Sequence, residues 1–341
     1  MKEILILVDD RGFFYSSTQE RGSSMNVMKV KGNLEKSGYL VSIKGFYEID
    51  FNNEYKDKIV LYQSTEDPDL RYKSYIEDVL LGLKNCGAIL IPDFEKFRAH
   101  HNKNFMEILR DIKRINKESN IYTKRYGTLE EFLKDSKQII FPAVIKPSLG
   151  SQSKNIYKVD NLKDAIKKIK QISRTFTFTN TKRAIQNLFD GEGYKPISNF
   201  RNKFIVQNYI SGLAGDYKVL IYGEKVYVLE RENRKNDFRA SGSGLFSFPK
   251  ELPSGLLDYS LDIFNRFKTP FISMDIAVKN NQFYLIEFQF VSFGQYTLEK
   301  SNFYFEKINN YWCKIDTKSN LEKTFAMAID RYIKLYLKRD I

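Results

Sequence analysis

The stretch that decides the fold runs from Phe271 to Gln289 and reads FISMDIAVKNNQFYLIEFQ. Two apolar runs of strand-forming residues flank the turn sequence KNNQ, which predicts a β-hairpin. One run carries Asp275 and the other carries Glu287, and the hairpin brings them opposite each other. Because two carboxylates in apolar strands repel each other unless a cation lies between them, the hairpin predicts a Mg²⁺ site. Gln289 points to the same face as Glu287 and can add a neutral oxygen ligand. The alternative is a pair of solvated strand charges, which the apolar flanks disfavour.

The composition is that of an ordinary folded protein. The chain has 341 residues, of which 42% are hydrophobic and 28% charged, and this length suits two or three packed lobes. Its apolar runs fall well short of the roughly 20 residues that span a bilayer. The start, MKEILILVDDRG, reads as a first β-strand and not as a signal peptide. We therefore expect no membrane span and a cytoplasmic protein.

The reactive residue types narrow the chemistry. Cys86 and Cys313 lie far apart, and the only histidines are the adjacent His100 and His101. These spacings disfavour a zinc site and a histidine-based triad. The net charge of +13 indicates either a polyanionic partner, such as a nucleic acid, an anionic glycan or a nucleotide, or a general lysine bias in the composition.

Strands and helices alternate along the chain. Residues 1–100 follow a β-α-β-β-α-β pattern, which predicts a small parallel α/β lobe. Residues 101–204 begin with a helix, continue through a strand at 143–146 and end in a stretch at 173–203 that resembles an inserted loop or lid. Residues 205–341 hold several strand candidates and a closing helix. The chain therefore divides into three segments.

A lysine leaves the strand at 143–146 directly before a loop of small residues. The segment VIKPSLGSQSK places Lys146 beside a loop that contains Ser151 and Gln152. A lysine next to free backbone N–H groups can hold phosphates. The loop is not a P-loop, which would need GxxxxGK[ST] at the start of a helix. The plain alternative is a hairpin with an exposed lysine.

A strand further on is suited to a nucleoside. The strand FIVQNYI, which contains Gln207 and Ile210, runs into a Gly-containing turn and then Asp216. A chain that leaves a strand in this way can offer backbone groups to a flat heterocycle and a carboxylate to a ribose. The plain alternative is an ordinary edge strand.

Three arginines precede a flexible loop. Arg231, Arg234 and Arg239 lead into the sequence ASGSG. Guanidinium groups beside a loop of small residues favour anion binding. This segment therefore predicts a site for a phosphate or a carboxylate.

Four features have now been described: the carboxylate hairpin, the lysine with its loop, the strand with Gln207, and the arginine segment. In their order and spacing they resemble the ATP-grasp superfamily of carboxylate–amine ligases. The resemblance covers residues 100 to 295, and its most specific part is the metal pair. Glu287 follows Asp275 by twelve positions, with an amide two residues further on, as in the family's Asp…Glu-x-Asn signature. Here the amide is Gln289, which keeps an oxygen ligand on a longer arm. The implied fold class is α/β, with an N-terminal α/β pre-ATP-grasp lobe at 1–100 followed by a two-lobed ATP-grasp α+β fold at 101–204 and 205–341.

The resemblance implies ATP and Mg²⁺ as cofactors. Lys146 and Lys103, the latter in the sequence HHNK, resemble the family's two phosphate-binding lysines. Ser151 and Gln152 then belong to the mobile loop over the phosphates. The implied metal ligands are those of the hairpin.

The resemblance also implies which residues bind the nucleoside and which bind the acyl phosphate. Gln207 and the backbone at Ile210 match the adenine hinge, and Asp216 matches the acid that takes the ribose hydroxyls. Arg239 falls where such ligases hold the acyl phosphate, with Arg231 as a partner for the same anion.

The implied reaction is ATP-dependent amide formation. A substrate carboxylate attacks the γ-phosphorus to give an acyl phosphate, and an amine then displaces phosphate. The sequence lacks a Cys or Ser nucleophile constellation. This absence agrees with the implied reaction, because the covalent intermediate forms on the substrate and not on the protein.

The substrates and the exact function stay open at the level of sequence. The segments YQSTEDPD and YKSYIED resemble ATP-grasp proteins of bacterial surface-polysaccharide clusters, which implies an amino acid added to a sugar acid. A peptide or protein tail would suit the basic charge equally well. The chain could also be a kinase that stops at the phosphorylated substrate, an inactive scaffold or a basic nucleic-acid-binding protein. The last would leave the paired carboxylates without a purpose, so we expect carboxylate and amine substrates, no nucleic acid and, by resemblance, a homodimer.

Overall fold

The computed structural model describes residues 2–15, 24–65, 70–115, 121–150, 155–175, 197–234, 237, 239–240 and 242–337. The chain divides into two compact units, the first formed by Met1–His100 with Ala214–Ile341 and the second by His101–Leu213. Helices and several sheets confirm the predicted α/β fold class. The domain boundaries after residues 100 and 204 stay predictions. Among the described residues, no helix combines the length and apolar character needed to cross a bilayer.

The first unit opens with a parallel sheet of the expected β-α-β-β-α-β pattern. Its elements are β1 (Glu3–Val8), α1 (Val27–Lys36), β2 (Leu40–Gly45), β3 (Ile59–Leu61), α2 (Arg71–Asn85), β4 (Ile89–Ile91) and α3 (Phe94–Ala99). The strand order is β2-β1-β3-β4, with all pairs parallel. Alternate residues of β1 enter two different cores, since Ile4 and Ile6 join one apolar cluster and Leu5 and Leu7 join another. Both faces of this sheet are buried, which is why its strands read as continuous apolar runs.

The second unit is built around an antiparallel sheet. Its elements are α4 (Lys103–Ile112), β5 (Thr123–Tyr126), α5 (Leu129–Asp135), β6 (Ala143–Pro147), β7 (Tyr157–Val159), α6 (Leu162–Ser173) and β8 (Phe204–Asn208). The strand order is β5-β8-β6-β7. One face packs on α5 and α6 through a cluster that includes Phe132, Ile169 and Phe204. Helix α5 begins where it does because Thr128 and Glu131 form a capping box.

A larger antiparallel sheet completes the first unit. Its strands and the helices around it are β9 (Gly215–Tyr222), β10 (Lys225–Glu232), β11 (Phe246–Ser247), α7 (Leu256–Phe267), β12 (Phe271–Lys279), β13 (Gln282–Gln289), α8 (Tyr296–Lys300), β14 (Tyr304–Ile308), β15 (Tyr311–Ile315) and α9 (Leu321–Tyr336). The order is β13-β12-β9-β10-β14-β15, and β11 pairs with β10. Phe325 and Ile329 of α9 lie in one apolar cluster with residues of β1 and of this sheet, so α9 stabilises both sheets of the unit.

The structure corrects several expectations about individual elements. The sequence patterns did not predict β5, α5, α7 or the hairpin of β14 and β15. Gly215, expected in a turn, begins β9, because the whole strand from Gly215 to Tyr222 pairs with β10. The hairpin of β14 and β15 turns on Asn309 and Asn310, both with positive φ, which is a turn that asparagine tolerates.

Candidate active site

One face of the large sheet carries charged and amide side chains on four neighbouring strands. The registers of β9, β10, β12 and β13 place four pairs opposite each other: Asp216 and Arg231, Lys218 and Asp275, Asp275 and Glu287, Ser273 and Gln289. Cross-strand partners share a face of the sheet, and so do residues two positions apart on a strand. These seven residues therefore form one continuous surface, which we call the polar face.

The hairpin of β12 and β13 sets Asp275 opposite Glu287, as its sequence predicts. The next pair is Ile276 with Leu285, so β13 has one residue more than β12 between the two pairs. This β-bulge reverses the alternation of side chains along β13. Leu285 is consequently turned to the opposite side of the sheet, where it is fully buried, while Glu287 stays on the polar face.

Arg231 bridges two aspartates of the polar face. Its Nε lies 2.6 Å from Oδ1 of Asp216, and its Nη2 lies 2.8 Å from Oδ2 of the same residue. The same Nη2 lies 2.9 Å from Oδ2 of Asp275. None of the three side chains is more than 19% exposed. The guanidinium therefore compensates the charge of two largely buried carboxylates.

The approach of β10 to β9 depends on a glycine. A Cβ at Gly215 would lie 2.0 Å from the carbonyl oxygen of Arg231, far inside van der Waals contact. A residue with a side chain would force the two strands apart at this point. Gly215 therefore allows the register that holds Asp216 against Arg231.

Lys218 is the second cation of the polar face. Its Nζ donates a hydrogen bond of 3.0 Å to Oγ of Ser273 and lies 3.6 Å from Oδ1 of Asp275. Neither Lys218 nor Ser273 was among the predicted site residues. The available signal was the spacing of Lys218 two positions after Asp216, which puts both on one face of a strand. Asp275 consequently lies between two cations.

The pKa values of Asp216 and Asp275 shift in opposite directions in this environment. Burial, together with the charge of Asp275, raises the pKa of Asp216 to about 6 in spite of Arg231. Burial also disfavours the charged form of Asp275, but the charges of Arg231 and Lys218 outweigh it and lower the pKa of that carboxyl. Asp275 is therefore the more firmly ionised of the two, as a metal ligand needs to be.

In the second unit, the start of α4 meets the end of β6. The backbone N–H of Lys103 donates to the carbonyl oxygen of Ser148 at 3.0 Å, and its Nζ donates to that of Gly150 at 2.8 Å. Lys103 and Lys146 are each 7% exposed. The structure thus places Lys103 at the point where the chain enters the predicted phosphate loop.

Gln207 lies inside a buried polar network of the second unit. Its Nε2 donates to Oγ1 of Thr123 at 2.9 Å and to Oε1 of Glu107 at 3.2 Å. Glu107 in turn accepts from Nε of Arg110 at 2.9 Å, and both of these side chains are at most 1% exposed. The two N–H groups of the Gln207 amide therefore bind protein atoms, and contact with an adenine would use its carbonyl oxygen.

The remaining predicted residues are not among the seven of the polar face, and two of them lie outside the described residues. Nε and Nη2 of Arg239 bind the carboxylate of Asp237, the latter at 2.6 Å, within its own loop. Ile210 follows β8 and is half-buried. Ser151 and Gln152 lie outside the described residues.

Solved structures resemble the chain along almost its whole length. D-cycloserine synthetase DcsG is 8% identical at a TM-score of 0.56, over 96% of this chain and 98% of that one. D-alanine–D-alanine ligase from Bacillus anthracis is 15% identical at a TM-score of 0.52, over 99% and 98%. A RiPP-associated ATP-grasp ligase from Chryseobacterium gregarium, in complex with ADP and a leader and core peptide, is 14% identical at a TM-score of 0.52, over 97% of both chains. The chain has the ATP-grasp fold. No family model and no curated protein matches its sequence.

The polar face of this chain suits a divalent cation between β12 and β13. Oδ1 of Asp275 is buried and accepts no hydrogen bond in the described part of the chain, and Glu287 lies opposite with Gln289 two positions further on. Carboxylate and amide oxygens are the hard ligands that Mg²⁺ prefers. Among the described residues, no three His, Cys, Asp or Glu side chains are set to hold a metal ion by themselves. Oxygen ligands from outside these side chains would therefore have to complete the coordination.

Proposed function

We propose that this protein is an ATP-dependent ligase, which activates a carboxylate as an acyl phosphate and joins it to an amine with release of ADP and phosphate. The observation that carries the proposal is the pair of facing carboxylates, Asp275 and Glu287, on the polar face of a chain with the ATP-grasp fold. Gln289 lies opposite Ser273 on the same face and supplies a third oxygen. This is the donor set that a nucleotide-bound Mg²⁺ requires.

The proposal assigns the nucleotide contacts residue by residue. Lys103 and Lys146 would neutralise the phosphates of the nucleotide, and the predicted contacts of Ser151 and Gln152 lie outside the described residues. Asp216 can accept the ribose hydroxyls while it still binds Arg231, because a carboxylate offers about four acceptor positions. In the second unit, Gln207 and the Ile210 backbone would bind adenine.

Asp275, Glu287 and Gln289 would hold the Mg²⁺ ion. The ion supplies positive charge beside the terminal phosphates. Arg231 binds Oδ2 of Asp275, so it fixes the orientation of that carboxylate. The predicted contact of Arg231 with the acyl phosphate would require it to leave Asp275, and we therefore propose Arg231 as a positioning residue.

The chemistry needs no nucleophile from the protein. An oxygen of the substrate carboxylate attacks the γ-phosphorus, and the bond to the bridging oxygen of ADP breaks. The amine nitrogen then attacks the acyl carbon, phosphate leaves with the electron pair of the C–O bond, and the nitrogen loses a proton. Arg239, once released from Asp237, would stabilise the negative charge that develops on the acyl oxygen.

Two substrate classes fit the proposal. The net charge of +13 favours an acidic acceptor, such as a sugar acid to which an amino acid is joined. A peptide substrate is favoured by one specific observation, since one of the similar structures is a ligase in complex with ADP and a leader and core peptide. The two classes are separated by the same assay.

The test is ADP release from Mg-ATP with a panel of sugar acids, amino acids and acidic peptides, each with and without an amine. Glu287→Gln removes one metal-ligand charge with little change of volume. Glu251→Gln is the matched control, because Glu251 is exposed and lies outside the helices and strands. We expect ADP only with a carboxylate and an amine together, a loss of about a hundredfold or more in Glu287→Gln, and no change in Glu251→Gln.

Each further outcome points to a different function. ADP release that needs the carboxylate but no amine would indicate a kinase. No turnover, combined with no effect of Mg-ATP on the melting temperature, would indicate a protein that does not use ATP. Equal activity of Glu287→Gln and Glu251→Gln would contradict the role of the facing carboxylates.

A further inference from the structure

Strand β15 forms an open edge of the large sheet. Within the described residues it pairs with β14 alone. The strand reads YWCKI, in which Lys314 is the single charged residue, and its first residue, Tyr311, is 77% exposed. An edge of this kind is a template for a further strand, because its outward N–H and C=O groups have no neighbour in the sheet.

The turn between β14 and β15 decides which main-chain groups point outward. Two asparagines with φ of 48° and 67° join the strands, and Ile308 pairs with Tyr311 next to them. In such a two-residue hairpin, the pair beside the turn exchanges both hydrogen bonds, and hydrogen-bonded and non-hydrogen-bonded pairs then alternate. The N–H and C=O groups of Trp312 and Lys314 therefore point away from β14, toward the open edge.

We propose that β15 pairs in antiparallel register with β15 of a second copy of this chain, about a twofold axis at Cys313. In this register Trp312 lies opposite Lys314 of the second copy. The outward groups of these residues then form roughly four main-chain hydrogen bonds across the axis. The sheets of two copies become one continuous sheet.

The side chains of the strand complement themselves in this register. Lys314, whose Nζ lies 2.8 Å from Oδ1 of Asp316 in its own chain, lies opposite the uncharged Trp312 of the second copy. Tyr311 faces Ile315, an aromatic–β-branched pair that stabilises sheets. No two like charges lie opposite each other. A second copy is therefore the occupant that the strand itself specifies.

The opposite edge of the same sheet lacks these properties. Strand β13 carries the β-bulge between its pairs with Asp275 and Ile276, and it carries the charge of Glu287. Bulges and charges both protect an edge against pairing with another chain. The contrast assigns self-association to β15, and this assignment is independent of the proposed ligase activity.

The mass of the full chain in solution tests the proposal. Pairing through five residues a side predicts a weak dimer, so sedimentation velocity should show a mass that rises above 40.1 kDa across the micromolar range. Tyr311→Lys places a second positive charge on the edge and should weaken dimerisation about tenfold or more. Because Tyr311 is 77% exposed, this variant should keep the melting temperature of the wild type. Lys314→Pro removes an outward N–H and should likewise give a monomer.

Disulfide formation gives an independent test with a matched control. Cys313 faces itself across the axis as a non-hydrogen-bonded pair, with Cα atoms about 4.5 Å apart, which is within the range of a disulfide. Cys86 is the more exposed of the two cysteines, so random collision would favour it. With oxidised glutathione, Cys86→Ser should form covalent dimers about tenfold faster than Cys313→Ser, because pairing raises the local thiol concentration.

Three results would overturn the proposal. They are a mass of 40.1 kDa throughout the micromolar range, a dimer that persists unchanged in Tyr311→Lys, and faster cross-linking through Cys86 than through Cys313. If Lys314→Pro fails to fold, Tyr311→Lys and the two cysteine variants still decide the question.

Discussion

Each unit of the molecule buries an arginine beside carboxylates, but the two arginines lie in different surroundings. Arg110 on α4 is fully buried and pairs with Glu107, three residues earlier on the same helix. Arg231 on β10 is 11% exposed and bridges Asp216 and Asp275, which belong to two other strands. The first pair is local in sequence, whereas the second set is assembled by the sheet.

The balance of charge separates a structural pair from a candidate site. At Glu107 and Arg110, one carboxylate faces one guanidinium. On the polar face, Arg231 alone binds two carboxylates, those of Asp216 and Asp275, and Lys218 lies 3.6 Å from the same Asp275. Buried charges that are shared in this way depend on each of their partners. A shared set of charges drawn from several strands, more than burial itself, therefore marks the candidate site.

The largest expected effect is on turnover. Asp275→Asn should lower ATP-dependent ADP release about a thousandfold, because it removes the charge of a proposed metal ligand that also binds Arg231. Glu107→Gln should leave the rate within about threefold of the wild type, since Glu107 belongs to the structural pair. Both rates are measured on folded protein well below its melting temperature. A comparable loss in the two variants would remove the distinction between the two regions.

The next effect is on stability in the second unit. Arg110→Met leaves Glu107 buried without its guanidinium, which should lower the free energy of unfolding by about 3–5 kcal/mol. The double variant Arg110→Met with Glu107→Met should recover most of this loss, because no buried charge remains. Urea unfolding of the single and double variants measures both changes in the free energy of unfolding. A loss of less than about 1 kcal/mol in the single variant would contradict the structural role.

Arg231→Met should have a smaller effect that depends on the metal. Removing the guanidinium increases the negative charge of the polar face, so stability should fall by about 1–3 kcal/mol. Millimolar Mg²⁺ should restore part of the melting temperature, because the cation now compensates the carboxylates. Arg110→Met serves as the control, and its melting temperature should not respond to Mg²⁺. An equal response of both variants would argue against a metal site at the polar face.

The smallest expected effect concerns a half-buried ion pair, which supplies a reference for the two more deeply buried ones. Hydrogen bonds from Lys124 and Tyr126, each 2.7 Å long, lower the pKa of Asp135 from its ordinary value of 3.8. A depressed carboxyl pKa stabilises the fold above pH 3.8, and this stabilisation is lost as the pH falls through the folded-state value. Asp135→Asn should therefore make stability slightly less dependent on pH in this acidic range. Urea unfolding at several pH values would contradict this if the wild type and the variant changed in parallel.

The sequence could predict the facing carboxylates because their signals are local. Asp275 and Glu287 belong to one hairpin, whose turn and apolar runs lie within a single short stretch. The contacts of Lys218 with Ser273 and Asp275 depend instead on the pairing of β9 with β12, two strands far apart in the chain. No local pattern specifies such a pairing, so this cation was missed.

The same reason explains what was missed in the second unit and in β9. The hydrogen bonds from the Gln207 amide to Glu107 and Thr123 were not predicted, because these partners come from separate elements. Gly215 was expected in a turn. Gly215 serves a close approach to β10 instead, and only the paired strand shows this.

Ile286, the extra residue of β13, determines how this hairpin has to be aligned with another sequence or transferred to another protein. Leu285 pairs with Ile276 and Glu287 pairs with Asp275, so Ile286 has no counterpart on β12. Deleting Ile286 would therefore leave a regular hairpin in which Glu287 and Gln289 stay on the polar face. Aligning the strand with a regular hairpin without a gap at this position, in contrast, would move either Leu285 or Glu287 to the wrong face of the sheet.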